Sequence, residues 1–143
     1  MKKYFLFLFL LNIIFFNLSG QTDLLLKKCI SSIEPSAKFI KDFRIQLGDD
    51  YSPGEFRYKE TLSLRKKTRY RFTMCTADNS KGQLILNIRD NLDNPVISSY
   101  DQEKGTIYPY IDLTCNRSGI YQICFDFTGG QAGSGVSIVS TIQ

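Results

Sequence analysis

From Phe39 onward, apolar side chains recur at every second position in short runs that turn residues separate. Such alternation is typical of β-strands that bury one face. The first run places Phe39, Phe43, Ile45 and Leu47 on one side of a strand, with Lys41 as the exception. The pattern therefore predicts a domain made mostly of antiparallel strands.

Seven further strands are expected at short, even spacing. They are predicted at about residues 56–62, 70–74, 84–88, 96–100, 106–114, 121–127 and 136–142. The fold class is therefore all-β, an antiparallel eight-stranded β-sandwich. A jelly-roll topology is preferred because it has eight strands in two sheets. An immunoglobulin-like sandwich is the alternative, and the absence of Trp disfavours it.

One short N-terminal α-helix is predicted before the strands, at about residues 23–33. Thr22 or Asp23 can cap its start, and Pro35 ends it. Three apolar residues have the spacing of one helical face and would pack on the sandwich: Leu26, Ile30 and Ile33.

The first twenty residues have the composition of a secretory signal peptide. Lys2 and Lys3 precede an apolar run from Tyr4 to Phe16, and a short polar stretch ends at Gly20. This order predicts cleavage after Gly20. A retained signal anchor is the competing interpretation, although the apolar run is short for a membrane span.

Residues 21–143 are then expected to form a single domain. We expect an exported protein of bacterial type, periplasmic or extracellular, without a membrane span once the signal is removed. The formal net charge is +4, and loss of Lys2 and Lys3 with the signal lowers it to +2. A chain-wide attraction to nucleic acid or to an anionic membrane is therefore not expected.

Four cysteines in an exported chain predict disulfides. Zinc is disfavoured because the chain has no His and no closely spaced cysteine pair. Cys75 and Cys124 are both out of phase with their apolar neighbours, which favours a bridge between them on an outer sheet face. Cys29 would then pair with Cys115 and tie the helix to the sandwich.

The absence of His also excludes Ser-His-Asp and Cys-His catalysis. We expect a protein that is not an enzyme. A small carboxylate-dependent hydrolase would need two positioned acids. The candidate acids all lie in turn-like stretches where nothing marks a pair: Asp49, Asp50, Asp90, Asp93, Asp101 and Glu103.

Basic and tyrosine side chains form the candidate ligand surface. A hairpin between the second and third strands would gather basic residues beside the run at residues 65–67. The predicted surface consists of Arg57, Lys59, Arg69, Arg71, Tyr108 and Tyr110. It could bind acidic polysaccharide or lipid headgroups and stack tyrosines on sugars. A solvated turn with protected edge strands is the alternative.

A turn after the fourth strand offers several oxygens to a hard cation. The candidate calcium ligands are Asp90, Asn91, Asp93 and Asn94. Turns require the same residue types, and the spacing is not that of an EF-hand. No other cofactor is expected.

Four stretches carry strand-and-turn motifs of a known module. The first consists of residues 62–64 followed, after a turn, by residues 68–72. The other three are 84–90, 118–123 and 133–136. On these motifs, about residues 56–142 resemble the jelly-roll accessory domains of secreted bacterial proteins, of the pre-peptidase C-terminal type. The resemblance implies a non-catalytic accessory role. The N-terminal helix, an added strand, the four cysteines and the lack of an attached peptidase depart from that pattern.

The sequence therefore predicts an exported, non-catalytic binding or accessory module. Its expected target is a glycan or another cell-envelope component. The alternative is a structural protein-interaction module of the envelope, with an envelope protein as its partner. A small hydrolase is the third hypothesis.

Overall fold

The computed structural model describes residues 20–52 and 54–143, so the predicted signal segment lies outside the described residues except for Gly20. Residues 20–31 are helical and ten strands follow in the described chain. The strands are β1 (Lys38–Leu47), β2 (Tyr58–Leu64), β3 (Arg69–Thr76), β4 (Leu84–Arg89), β5 (Pro95–Ser98), β6 (Tyr100–Asp101), β7 (Thr106–Ile107), β8 (Tyr110–Thr114), β9 (Gly119–Phe127) and β10 (Gly133–Thr141).

Eight of these strands form two antiparallel sheets of four. Sheet A has the order β1-β10-β3-β8 and sheet B has the order β2-β9-β4-β5, while β6 and β7 form a separate hairpin. The inner faces of both sheets contribute to one core, in which Phe72 of sheet A and Phe125 of sheet B are fully buried. The prediction of an antiparallel, sandwich-like β fold with one helix is confirmed.

The predicted count of eight strands is wrong because two predicted strands are divided. The predicted strand at 96–100 divides at Ser99, whose buried hydroxyl accepts a 2.8 Å hydrogen bond from the N–H of Leu86. The predicted strand at 106–114 divides at Pro109, which has no N–H to donate to a strand ladder. Both breaks release the β6–β7 hairpin from the main sheets.

A β-bulge near the start of β1 explains the exceptional Lys41. The register with β10 shifts between Phe39 and Lys41, so one extra residue changes the phase of the strand. Phe39 is consequently half exposed instead of buried. Lys41 takes the phase of Phe43, and its Nζ lies 4.8 Å from the centre of that ring.

The helix differs from its prediction at both ends. Residues 20–22 are already helical, so Thr22 and Asp23 do not cap its start, and the helix ends at residue 31. The hydroxyls of Ser31 and Ser32 donate to the carbonyls three residues earlier in the last turn. In the described residues, no helix is long and apolar enough to span a membrane.

The helix packs on the outer face of sheet A. Val136 and Ile138 of β10 are fully buried against it, although β10 also faces the sandwich core. The apolar helix residues in this contact are Leu25, Leu26 and Cys29, with Ile33 just beyond the helix. Ile30, predicted to lie on the same face, is half exposed.

The disulfide of the structure joins Cys29 to Cys75, with their Cα atoms 5.8 Å apart. The predicted pairs Cys75–Cys124 and Cys29–Cys115 are therefore wrong. Cys75 faces outward as predicted, but from sheet A, whereas Cys124 lies on β9 of sheet B. The outer faces of the two sheets point in opposite directions, so these cysteines cannot meet. Cys115 and Cys124 are buried free thiols.

Candidate functional site

The connections between strands gather at two opposite ends of the sandwich. One end, the groove end, carries residues 48–52 and 54–57, the loops at 77–83 and 128–132, and the β6–β7 hairpin. The other, the basic end, carries the loops at 65–68, 90–94 and 115–118. Both ends have concave surfaces.

The larger concavity lies along the outer face of sheet B and reaches the groove end. Its volume is about 680 Å³, and we call it the sheet B groove. Its lining includes hydrogen-bonding side chains from β4, β5 and the β6–β7 hairpin, namely Asn87, Ser98, Tyr100, Asp101 and Glu103. The volume lies in the range of ligand sites, which are concave and contain a few convergent polar groups.

An ion pair fixes one wall of the groove. The Arg57 guanidinium donates to Asp126 Oδ1 from Nε at 2.9 Å and from Nη2 at 2.7 Å. It also donates to the carbonyls of Gly48 and Gln131. Both side chains are largely buried, at 18% and 14% exposure. This network therefore ties Arg57 and Gly48 to β9 and to the loop that follows it.

Gly130 brings two loops of the groove into contact. Its carbonyl accepts a 2.8 Å hydrogen bond from the N–H of Asp50. Its φ of 68° lies in the left-handed region, and a Cβ at this position would collide with the Asp50 carbonyl. Only glycine allows this approach of the two backbones.

The β6–β7 hairpin forms the opposite wall. The Asp101 carboxylate accepts hydrogen bonds from the N–H groups of Glu103 and Lys104 at 3.1 and 3.2 Å. Lys104 also forms a 3.7 Å ion pair with Asp101. The turn is therefore held by its own polar groups, and Glu103 is exposed at its tip.

The charge of the groove is predominantly negative. Among the described residues that line it, Arg57 is the only basic residue, against the acids Asp50, Glu55, Asp101, Glu103 and Asp126. This lining repels polyanions. It disfavours an acidic polysaccharide as the ligand of the groove.

Most candidate hydrolase acids already have partners. Asp49 forms an ion pair with Lys81 at 2.8 Å and accepts from the N–H of Ala132. Its pKa is lowered mainly by the hydrogen bond from Lys81. Asp50 accepts from the N–H of Ser52, which likewise lowers its pKa. These two carboxylates stabilise loops, whereas Asp101 and Glu103 lie in the lining of the groove.

The predicted ligand surface is divided between opposite faces. β2 belongs to sheet B and β3 to sheet A, so Arg57 and Lys59 point away from Arg69 and Arg71. The predicted hairpin between β2 and β3 does not exist, because the 65–68 loop crosses between the sheets. Each of the four cations also has an acidic partner: Lys59 pairs with Glu55, for example.

Part of the predicted surface does come together on sheet A. Arg71 donates to Asp112 at 2.7 and 2.9 Å and to Glu34 at 2.7 Å. Its guanidinium carbon lies 4.2 Å from the centre of the Tyr110 ring. The hydrogen bonds from Arg71 lower the pKa of Asp112. Arg69 joins this cluster through Asp112, whereas Tyr108 is half exposed before β8.

The carboxylates of the candidate calcium site form hydrogen bonds and an ion pair with groups in or beside their own turn. Asp90 Oδ1 accepts from the N–H groups of Leu92 and Asn94, and Oδ2 accepts from the Asn94 amide. Asp93 forms a 3.3 Å ion pair with Arg89. Among the described residues, no group of three acidic, His or Cys side chains could hold a metal ion.

The two free thiols occupy different environments. Cys115 donates to the Arg117 carbonyl at 3.1 Å, and the same carbonyl accepts from the Tyr121 hydroxyl at 2.7 Å. Cys124 lies on the outer face of sheet B between Lys59 and Asn87 of the neighbouring strands. Burial raises the pKa of the Cys124 thiol, which keeps it protonated and unreactive near neutral pH.

Comparison with known proteins adds no family. No protein-family model matches the chain, and the search of curated proteins found no match. Functional inference therefore depends on the geometry of the groove and of the surface around it. The sequence marks Asp101 and Glu103 only as separate candidate acids, and it does not predict that they line one groove with Asn87 and Tyr100. Asn87 is a polar residue at an outward-facing position of the apolar strand β4. This position was the feature of the sequence that could have indicated a ligand-binding role.

Proposed function

We propose that this protein is an exported, non-catalytic binding module whose sheet B groove binds a neutral glycan of the cell envelope. The observation that carries the proposal is the groove itself, a concavity lined by amide, hydroxyl and carboxylate groups. Such groups form hydrogen bonds with sugar hydroxyls. The acidic lining favours a neutral polymer over an anionic one.

The asymmetry of the two sheets supports this assignment. The helix and the Cys29–Cys75 disulfide cover part of the outer face of sheet A, whereas sheet B carries the open groove. The disulfide and the signal-like leader support export, since disulfides persist in oxidising compartments. The strand orders β1-β10-β3-β8 and β2-β9-β4-β5 support a jelly-roll topology.

A panel of envelope glycans tests the proposal. The protein recovered after export should be titrated by calorimetry with neutral hexose polymers, amino-sugar oligomers, peptidoglycan fragments and uronic-acid polymers. We expect binding to a neutral member without release of shorter products. Asn87→Ala should weaken this binding about tenfold, since it removes hydrogen bonds to the ligand. Gln46→Ala on the outer face of sheet A is the matched control.

A structural protein-interaction module is the second candidate. The bulge leaves Phe39 and Ile40 exposed on β1, an edge strand of sheet A. Exposed apolar residues at a sheet edge can pair with another protein. Retention of an envelope protein that Asn87→Ala does not affect would favour this candidate. Release of shortened glycan would instead favour the hydrolase.

A further inference from the structure

We propose that the basic end of the sandwich docks on the surface of an anionic lipid bilayer. This surface consists of the 65–68 loop, the 115–118 loop and the turn at 90–94. It is a different feature from the sheet B groove, and it uses the basic run that the proposed function leaves without a role.

Four cations without an ion pair lie close together at this end of the molecule. Arg65, Lys66, Lys67 and Arg117 are exposed, and none forms an ion pair within 4.0 Å in the described part of the chain. The basic residues first predicted to bind ligand all have acidic partners. Free cations can exchange water for anionic headgroups without breaking an existing pair.

Hydrogen bonds hold the two basic loops side by side. The N–H of Lys67 donates to the Cys115 carbonyl at 2.8 Å, and the N–H of Cys115 donates to the Thr68 carbonyl at 3.0 Å. The N–H of Lys66 donates to Ser118 Oγ at 2.7 Å. Lys67 also has a φ of 64°, in the left-handed region that L-residues rarely occupy. The four cations therefore lie together in one solvent-exposed cluster.

The neighbouring acid does not form a salt bridge with this cluster. Asp90 directs both carboxylate oxygens to donors of Leu92 and Asn94 within its own turn. Arg117 is near enough to contribute to the lowered pKa of Asp90, after the hydrogen bonds from Asn94. The guanidinium nevertheless remains available to an external anion.

Exposed apolar side chains at the same end favour lipid over a soluble polyanion. Leu92 is 71% exposed at the tip of its turn and Ile120 is 60% exposed at the start of β9. Ile120, Val96 and Arg117 line a cavity of about 330 Å³. Peripheral membrane binding combines apolar insertion at the headgroup level with basic residues, whereas an acidic polysaccharide would use the cations alone.

The net charge of the whole chain does not reveal this distribution of charged residues. The net charge of +2 after loss of Lys2 and Lys3 predicts no attraction to an anionic membrane. Five of the fourteen acidic residues, however, line the groove, and the four basic residues at the opposite end have no ion pair among the described residues. Docking by the basic end would direct the groove end away from the bilayer, where an envelope ligand can reach it.

Vesicle flotation tests the inference. The protein recovered after export, with its N-terminus verified by mass spectrometry, should be mixed with vesicles of phosphatidylcholine alone or with equal parts of phosphatidylglycerol. We expect binding to the anionic vesicles only, weakening as salt is raised. Lys66→Gln/Arg117→Gln should weaken binding about tenfold or more. Leu92→Ser should weaken it about fivefold.

Matched variants localise the effect. Lys27→Gln/Lys28→Gln removes the same charge from the exposed face of the helix, and Leu24→Ser alters a residue 67% exposed on that helix. Both should bind like the parent protein. Equal losses in test and control variants, equal binding to both vesicle types, or no binding at low salt would overturn the inference. Binding to a soluble uronic-acid polymer that Leu92→Ser leaves unchanged would identify a polyanion site instead.

Discussion

Cys29 of the helix and Cys75 of β3 are joined by a disulfide that fastens the helix to the outer face of sheet A. The bridge spans 46 residues of sequence, and closing a loop of this length stabilises a protein by about 4 kcal/mol in the chain-entropy model. We expect Cys29→Ser/Cys75→Ser to lower the free energy of unfolding by about 3–4 kcal/mol, measured by urea denaturation.

Reductant provides the control for this variant. Dithiothreitol should lower the stability of the parent protein to that of the double variant and leave the variant unchanged. Coincident urea midpoints for oxidised parent and variant would contradict the pairing.

A thiol titration tests the cysteine assignment separately. Cys115 and Cys124 are each only 2% exposed, so the native protein should react slowly with an aromatic disulfide reagent. In denaturant, two thiols per chain should react, because only Cys29 and Cys75 are bridged. If no thiol reacts in denaturant, the exported protein contains a second disulfide, between Cys115 and Cys124.

The cysteines show how much the alternation of side chains along a strand can predict from sequence. Alternation correctly placed Cys75 outward, and strand residues such as Phe72 and Phe125 lie in the core as their phase predicts. Alternation predicts which face of a strand a side chain lies on, but it does not predict to which sheet the strand belongs. The pairing with Cys124 failed for that reason, as did the grouping of Arg57 with Arg71.

The Arg71–Asp112 contact predicts a specific pH dependence. Hydrogen bonds from Arg71 lower the folded-state pKa of Asp112 below its unfolded value of about 3.9. The contact therefore stabilises the fold fully above that pH and is lost as the pH falls through the lower folded value. Asp112→Asn should cost about 1–2 kcal/mol at pH 7 and less near pH 3, measured by urea unfolding at both values.

Asp78→Asn is the control for this prediction, because Asp78 is exposed in the turn between β3 and β4. Its stability should match that of the parent protein at both pH values. An Asp112→Asn cost that is the same at low and neutral pH would show that the ionised carboxylate does not supply the stabilisation.

Gly130 should be the sensitive glycine of the groove. Gly130→Ala adds a Cβ against the Asp50 carbonyl in a left-handed conformation, so we expect a cost of about 2 kcal/mol or more. Gly129 has a similar φ of 66°, with no neighbour closer than 3.8 Å. Gly129→Ala should cost only about 1–2 kcal/mol. Thermal unfolding measures both, and a reversed order would contradict the loop contact.

The groove could be predicted from sequence only in fragments. The turn composition at 101–105 and the outward phase of Asn87 were readable, since they depend on local pattern. Their proximity depends on Ser99, whose buried hydroxyl binds the Leu86 N–H and leads the chain from β5 into the β6–β7 hairpin. A buried serine has no distinctive periodic signal, so this long-range placement was not readable.

The position of a bound glycan tests the central claim most directly. A neutral glycan from the panel should be titrated into isotope-labelled protein while backbone amide resonances are followed by NMR. The account predicts saturable shifts clustered at Asn87, Ser98, Tyr100 and Glu103, with the basic end unchanged. Shifts confined to the Arg71–Tyr110 cluster, or no shifts with any glycan in the panel, would contradict it.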